Sequence, residues 1–96
     1  MTARPKYILH SPLSDVTRLD TFIENCLTEG VSLIAVFGSG SAELEDMIDE
    51  IIVGDGKDDS RFICTTSHPN ETFDDVLSFV EAWELNDGGA IIEARL

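Results

Sequence analysis

Three times along the chain a short apolar run gives way to a polar turn and then to apolar residues recurring every three or four positions. A fourth apolar run closes the pattern. Lys6-Tyr-Ile-Leu-His10 predicts a first strand, ended by Ser11-Pro12 because proline cannot donate to a ladder. Ser14 is the expected N-cap of a first helix, with Asp15 complementing its dipole. Val16, Leu19, Phe22, Ile23, Cys26 and Leu27 form its apolar stripe, and Gly30 its stop. Val31 to Phe37 is the strongest strand, and its lack of alternation suits burial on both faces.

Gly38-Ser-Gly-Ser41 follows, with Ser41 as the expected cap of a second helix. Leu44, Met47, Ile48, Ile51 and Ile52 mark that helix's buried face, and Gly54-Asp-Gly56 ends it. Arg61 to Thr66 predicts a third strand, rich in β-branched and aromatic residues. After the turn Ser67-His-Pro-Asn70, Thr72 and Asp75 resemble a capping box with Asp in place of Glu. Phe73, Val76, Leu77, Val80 and Trp83 give the third helical stripe, broken by Asn86-Asp-Gly-Gly89. Ala90 to Leu96 is the last strand, and Glu93 and Arg95 mark it as an exposed edge.

This βαβαβαβ order, over residues 1–96 as one α/β domain, predicts a small three-layer sandwich. Right-handed crossovers make its four-stranded sheet mostly parallel and Rossmann-like, with helices on both faces. Strand order is open, although the second strand reads as central.

Charge alters the picture. The net charge is −13, and it is lopsided. Residues 1–42 hold three bases against four acids, whereas residues 43–96 hold three bases against fifteen acids. Such a chain repels phosphates and anionic lipid, so neither nucleic acid nor membrane is an expected partner. It suits either simple solubility or a basic protein partner, docked on the acidic second and third helices if these share one face of the sheet. Cys26 and Cys64 lie in apolar stretches away from zinc-finger spacing, the pattern of reduced core thiols. With no signal-like or membrane-length apolar run, the expected location is cytoplasmic.

Candidate chemistry gathers at the strand exits, where parallel sheets bind ligands. His10, Ser39, Ser41, Thr66 and His68 are the candidate ligand-binding residues. Gly38-Ser-Gly-Ser41 opens a helix but has Glu43 where a dinucleotide fingerprint needs its third glycine. It also lacks the Gly-Lys-Ser/Thr of a P-loop, and Glu43, Glu45 and Asp46 oppose an anion. Asp55, Asp58 and Asp59 do not have EF-hand spacing and read as a solvated loop, so neither metal nor cofactor is expected. Ser39, Ser41 or Ser67 would need His10 or His68 as a base to act as a nucleophile, and no nucleophile elbow is present. The expected role is therefore a small non-catalytic binding or accessory protein acting through protein–protein contact. The alternative is a small enzyme or ligand-binding domain using the turns near His10, Ser39, Ser41 and His68.

The segment Asp58-Asp-Ser-Arg-Phe-Ile-Cys-Thr-Thr-Ser-His68, with the acidic helix that follows it, resembles a family of small uncharacterised bacterial proteins. These share an Asp-Asp-x-Arg-Phe start to a strand, a Thr-Thr exit and a nearby His, over about the last two-thirds of this chain. The resemblance implies a bacterial source and a stand-alone small domain. It carries no activity and no catalytic roles.

Overall fold

The computed structural model describes residues 5–54, 56, 63–83 and 90–96. Four strands, β1 (Lys6–Ser11), β2 (Leu33–Gly38), β3 (Cys64–His68) and β4 (Ile91–Ala94), form one sheet in the order β3-β2-β1-β4. Every pairing is parallel. The helices are α1 (Leu19–Glu29), preceded by a 3-10 turn at Val16–Arg18, α2 (Ser41–Val53) and α3 (Phe73–Ala82).

This order decides which helix covers which face. From β1 through β2 to β3 the chain advances in one direction across the sheet. From β3 it must return past β2 and β1 to reach β4. Right-handed crossovers taken in opposite directions deposit their helices on opposite faces. Accordingly Leu9, Ile34 and Val36 pack with Leu19, Ile23, Leu44 and Ile48 of α1 and α2. The alternate residues Ile8, Leu33 and Ala35 pack with Val76 and Val80 of α3. The inner strands β1 and β2 are thus buried from both sides. The outer strand β4 has the edge position that Glu93 and Arg95 predict.

The acids are consequently divided. The expected continuous negative surface over the second and third helices does not form, because α2 and α3 lie on opposite faces. Two of the α2 acids are also engaged: Thr65 on β3 has its hydroxyl 2.6 Å from an Asp49 oxygen and 3.1 Å from Glu45.

Local signals explain the element ends, with some revisions. Gly30 takes φ 77° as the α1 C-cap, and Thr72 caps α3 by accepting from the Asp75 N–H at 3.2 Å. Asp15, not Ser14, is the cap at the first helical segment, because its carboxylate accepts from both the N–H and the hydroxyl of Thr17. The hydroxyl bond, then the backbone bond, hold the Asp15 carboxyl below its ordinary range. Gly40, not Ser41, occupies the cap position of α2, at φ 73°, and makes no side-chain cap bond. Ser41 is the first helical residue and is fully buried. The third strand continues past the expected Thr66 to His68, while its expected start at Arg61 and Phe62 lies outside the described residues. Cys64 is the first residue of β3 and only half-buried, rather than the buried mid-strand thiol expected. Trp83 follows α3 as its C-cap, and Asn86 to Gly89 lie outside the described residues.

Three outcomes test this packing. Ile34 is fully buried between β1, β3 and the α1/α2 layer. Ile34→Ala should cost about 2–5 kcal/mol in urea unfolding through the cavity it leaves. Gly38 has φ 112°, and a Cβ there would collide with the Ser11 carbonyl oxygen. Gly38→Ala should destabilise by about 1–3 kcal/mol from backbone conformation alone, with the collision adding to that. Burial, aided by the nearby Glu29 charge, pushes the Cys26 thiol from an ordinary 9.0 up to about 12. Burial likewise raises the Tyr7 phenol. A thiol whose folded pKa is raised stabilises the fold fully below the unfolded value and loses that contribution as pH climbs to the folded one. The urea midpoint should therefore fall between pH 9.0 and about 12, and less steeply in Cys26→Ala.

Candidate functional site

The register of the sheet sets one row of side chains across its carboxyl end: His10 on β1 pairs with Phe37 on β2, which pairs with His68 on β3. Residues in one row point to the same face, and successive residues along a strand alternate. Ile8 and Ala35, two positions earlier, face α3, so this row faces α3 as well. Thr66 lies in the row of Ala35 and Ile8 and shares that face. The two histidines stand two strand spacings apart, roughly 10 Å, with Phe37 between them.

Each imidazole has a carboxylate partner. His10 Nε2 lies 2.8 Å from Glu93 Oε1, joining β1 to the edge strand β4. Arg95 approaches the same Glu93 oxygen at 3.8 Å. His68 Nδ1 lies 2.6 Å from Glu71 Oε2, and its Nε2 lies 2.8 Å from Thr66 Oγ1. A carboxylate only accepts, so Nδ1 of His68 carries a proton. In the neutral ring Nε2 then accepts from the Thr66 hydroxyl, and every polar atom of the imidazole is satisfied. This matters because the His68 side chain is only 8% exposed, whereas Glu71 is 48% exposed.

Aromatic rings complete the layer. His10 stacks on Phe73 of α3 with centroids 5.8 Å apart and planes 8° from parallel, and meets Phe37 edge-on at 5.6 Å. His68 packs on Phe79 at 5.0 Å, and Phe79 reaches Trp83 at 6.0 Å. These rings hold α3 over the carboxyl end of the sheet, with one histidine under each end of the contact.

The five candidate residues divide into two groups. His10, Thr66 and His68 share the α3 face, where Thr66 meets His68 and His10 stands two strands away. Ser39 and Ser41 do not join them. Ser39 is exposed, and its carbonyl accepts from the Ser11 hydroxyl at 2.5 Å. Ser41 is buried at the start of α2, and its hydroxyl has no partner among the described residues. Ser67 pairs with Val36 and so points to the α2 face, away from both histidines. The hydroxyl that meets a histidine is Thr66, which the serine-based expectation passed over. Glu71 and Glu93 were also missed as partners. Glu71 had one signal, its place three residues after His68. Glu93 had none beyond its apparent role as an edge charge.

On the other face, Ser11, Pro12, Leu13 and Val16 line a shallow groove of about 210 Å³ against Gly40, Glu43, Leu44 and Met47 of the α2 end. Val16 and Met47 are 53% and 42% exposed there. Among the described residues no three His, Cys, Asp or Glu side chains converge as metal ligands would. The acids Asp55, Asp58 and Asp59 lie outside the described residues. No described helix is long and apolar enough to cross a membrane.

No curated protein and no solved structure matches the chain. A family model does, over residues 8–85, from within β1 to just beyond α3, and it includes every residue of the His10–Phe37–His68 row. The chain therefore belongs to the family of the domain of unknown function DUF7684.

Proposed function

We propose that this domain is a small cytoplasmic accessory protein that works by protein–protein contact, and that its contact surface is the groove between the β1 exit and α2. The observation that carries this reading is the pair of exposed apolar side chains, Val16 and Met47, beside an exposed acidic helix. A groove of about 210 Å³ falls below the roughly 300–1,000 Å³ of a small-molecule pocket. It suits a single anchoring side chain from a protein partner.

Charge selects the anchor. Glu43 lines the groove, and Asp46 and Glu50 are exposed on the same helix, which contains no lysine or arginine. A partner arginine or lysine can lay its aliphatic stem over Val16 and Met47 and place its cation at Glu43. The occupant is thus a basic segment with apolar neighbours. The free, buried thiol of Cys26 supports the cytoplasmic setting. The family resemblance supports a bacterial one.

A synthetic amphipathic peptide of leucine and arginine is the probe. In methyl NMR it should perturb Val16 and Met47, and its affinity should fall as salt rises. Glu43→Lys should weaken it by about tenfold or more, chiefly by slowing association. Equal binding by a Val16→Ser, Met47→Ser double variant would overturn the assignment, as would perturbations confined to α3.

A further inference from the structure

We propose that Thr66, His68 and Glu71 form a hydroxyl-activating relay that accepts an acyl group from an uncharged ester. This goes beyond the contact role, which sits on the opposite face of the sheet. The geometry is that of an activated nucleophile: a hydroxyl 2.8 Å from an imidazole nitrogen, and the ring's other nitrogen 2.6 Å from a carboxylate. Nucleophile, base and orienting carboxylate in hydrogen-bonded series are recognised by geometry and role, not by order in the chain.

Each member is held by the fold. Thr66 and His68 are two residues apart on one strand, so both point to the α3 face. Phe79 packs against the imidazole. Glu71 sits in the short β3–α3 connection, one residue before the Thr72 cap, so the start of α3 fixes its distance from the ring. Thr66 is half-buried and lies on an outer strand of the sheet.

The contrast with His10 sharpens the assignment. That imidazole also meets a glutamate, but it stacks on Phe73, and the described contacts give it no hydroxyl. The substrate class follows from charge. Glu71, Asp74 and Asp75 surround the entrance to α3, so an anionic acyl donor is repelled.

The step balances within the site. Thr66 Oγ attacks the acyl carbon while its proton passes to His68 Nε2, giving an imidazolium that Glu71 stabilises. The tetrahedral intermediate collapses to acyl-Thr66, and the leaving alkoxide takes the proton from His68. Water, deprotonated by the same Nε2, then adds to the acyl-threonine. The second tetrahedral intermediate expels the Thr66 alkoxide, which takes the proton back from His68, and the carboxylic acid is released. Thr66 and His68 are the catalytic residues, and Glu71 is a positioning residue.

p-Nitrophenyl acetate is the probe, with intact-protein and peptide mass spectrometry as the second readout. Wild type and Thr66→Ser should give a nitrophenol burst and an acetyl group mapped to residue 66. Thr66→Val, which keeps side-chain shape, should lose the burst by about 100-fold or more with its thermal unfolding checked alongside. Glu71→Gln should lower kcat while KM is held. The proposal is overturned if wild type carries no acetyl group at residue 66, or if Thr66→Val keeps the wild-type burst. An unchanged kcat in Glu71→Gln would remove the positioning role.

Discussion

The parallel pairing of β1 with β2, buried on both faces, is the constraint from which the rest follows. Ile8 and Ala35 look one way, Leu9 and Val36 the other, and all are fully buried. A slip of one residue would move each of these side chains to the wrong layer. The core therefore fixes the register, and the register fixes the row His10–Phe37–His68 at the carboxyl end. Gly38 belongs to the same constraint. It lets β2 pass close to the Ser11 carbonyl, where any side chain would collide.

The return of the chain from β3 to β4 then separates two environments. One face carries α1 and α2 and exposes a small apolar groove among acids. The other carries α3 alone, with His10 and His68 each paired to a glutamate beside aromatic rings. Spreading the charge over both faces reduces self-repulsion in a chain of net charge −13. It also means that a basic partner docked on α2 leaves the histidine layer of α3 untouched.

Much of this architecture was legible in the residues, and the failures have a common cause. Among the described residues periodicity located the three α-helices and four strands, and Gly30 and Thr72 act at the ends where their chemistry puts them. These are local properties, set by neighbours within a few positions. Ser14 and Ser41 failed as caps because adjacent residues competed. Asp15 reaches two donors of Thr17, and Gly40 takes a positive φ that lets α2 start one residue after it. The partners of the histidines were of a different order of difficulty. His10 and Glu93 are 83 positions apart in sequence and meet only because β4 returns to the side of β1. No pattern along the chain encodes that strand order.

The two histidines show why residue type alone does not define a site. Both face α3, both are largely buried and both meet a glutamate. For His10, the carboxylate ties an edge strand to an inner one, and Phe73 and Phe37 enclose the ring, which is what a structural imidazole requires. A buried polar ring needs partners simply to avoid the cost of lost water, roughly 1–3 kcal/mol for each unsatisfied group. His68 meets that need too and also packs on a ring, Phe79, but its second nitrogen meets a hydroxyl on an outer strand. A hydroxyl that donates to a neutral imidazole is already on the path along which its proton leaves. The same satisfied network is thus a structural joint at one strand exit and a poised reactive group at the other.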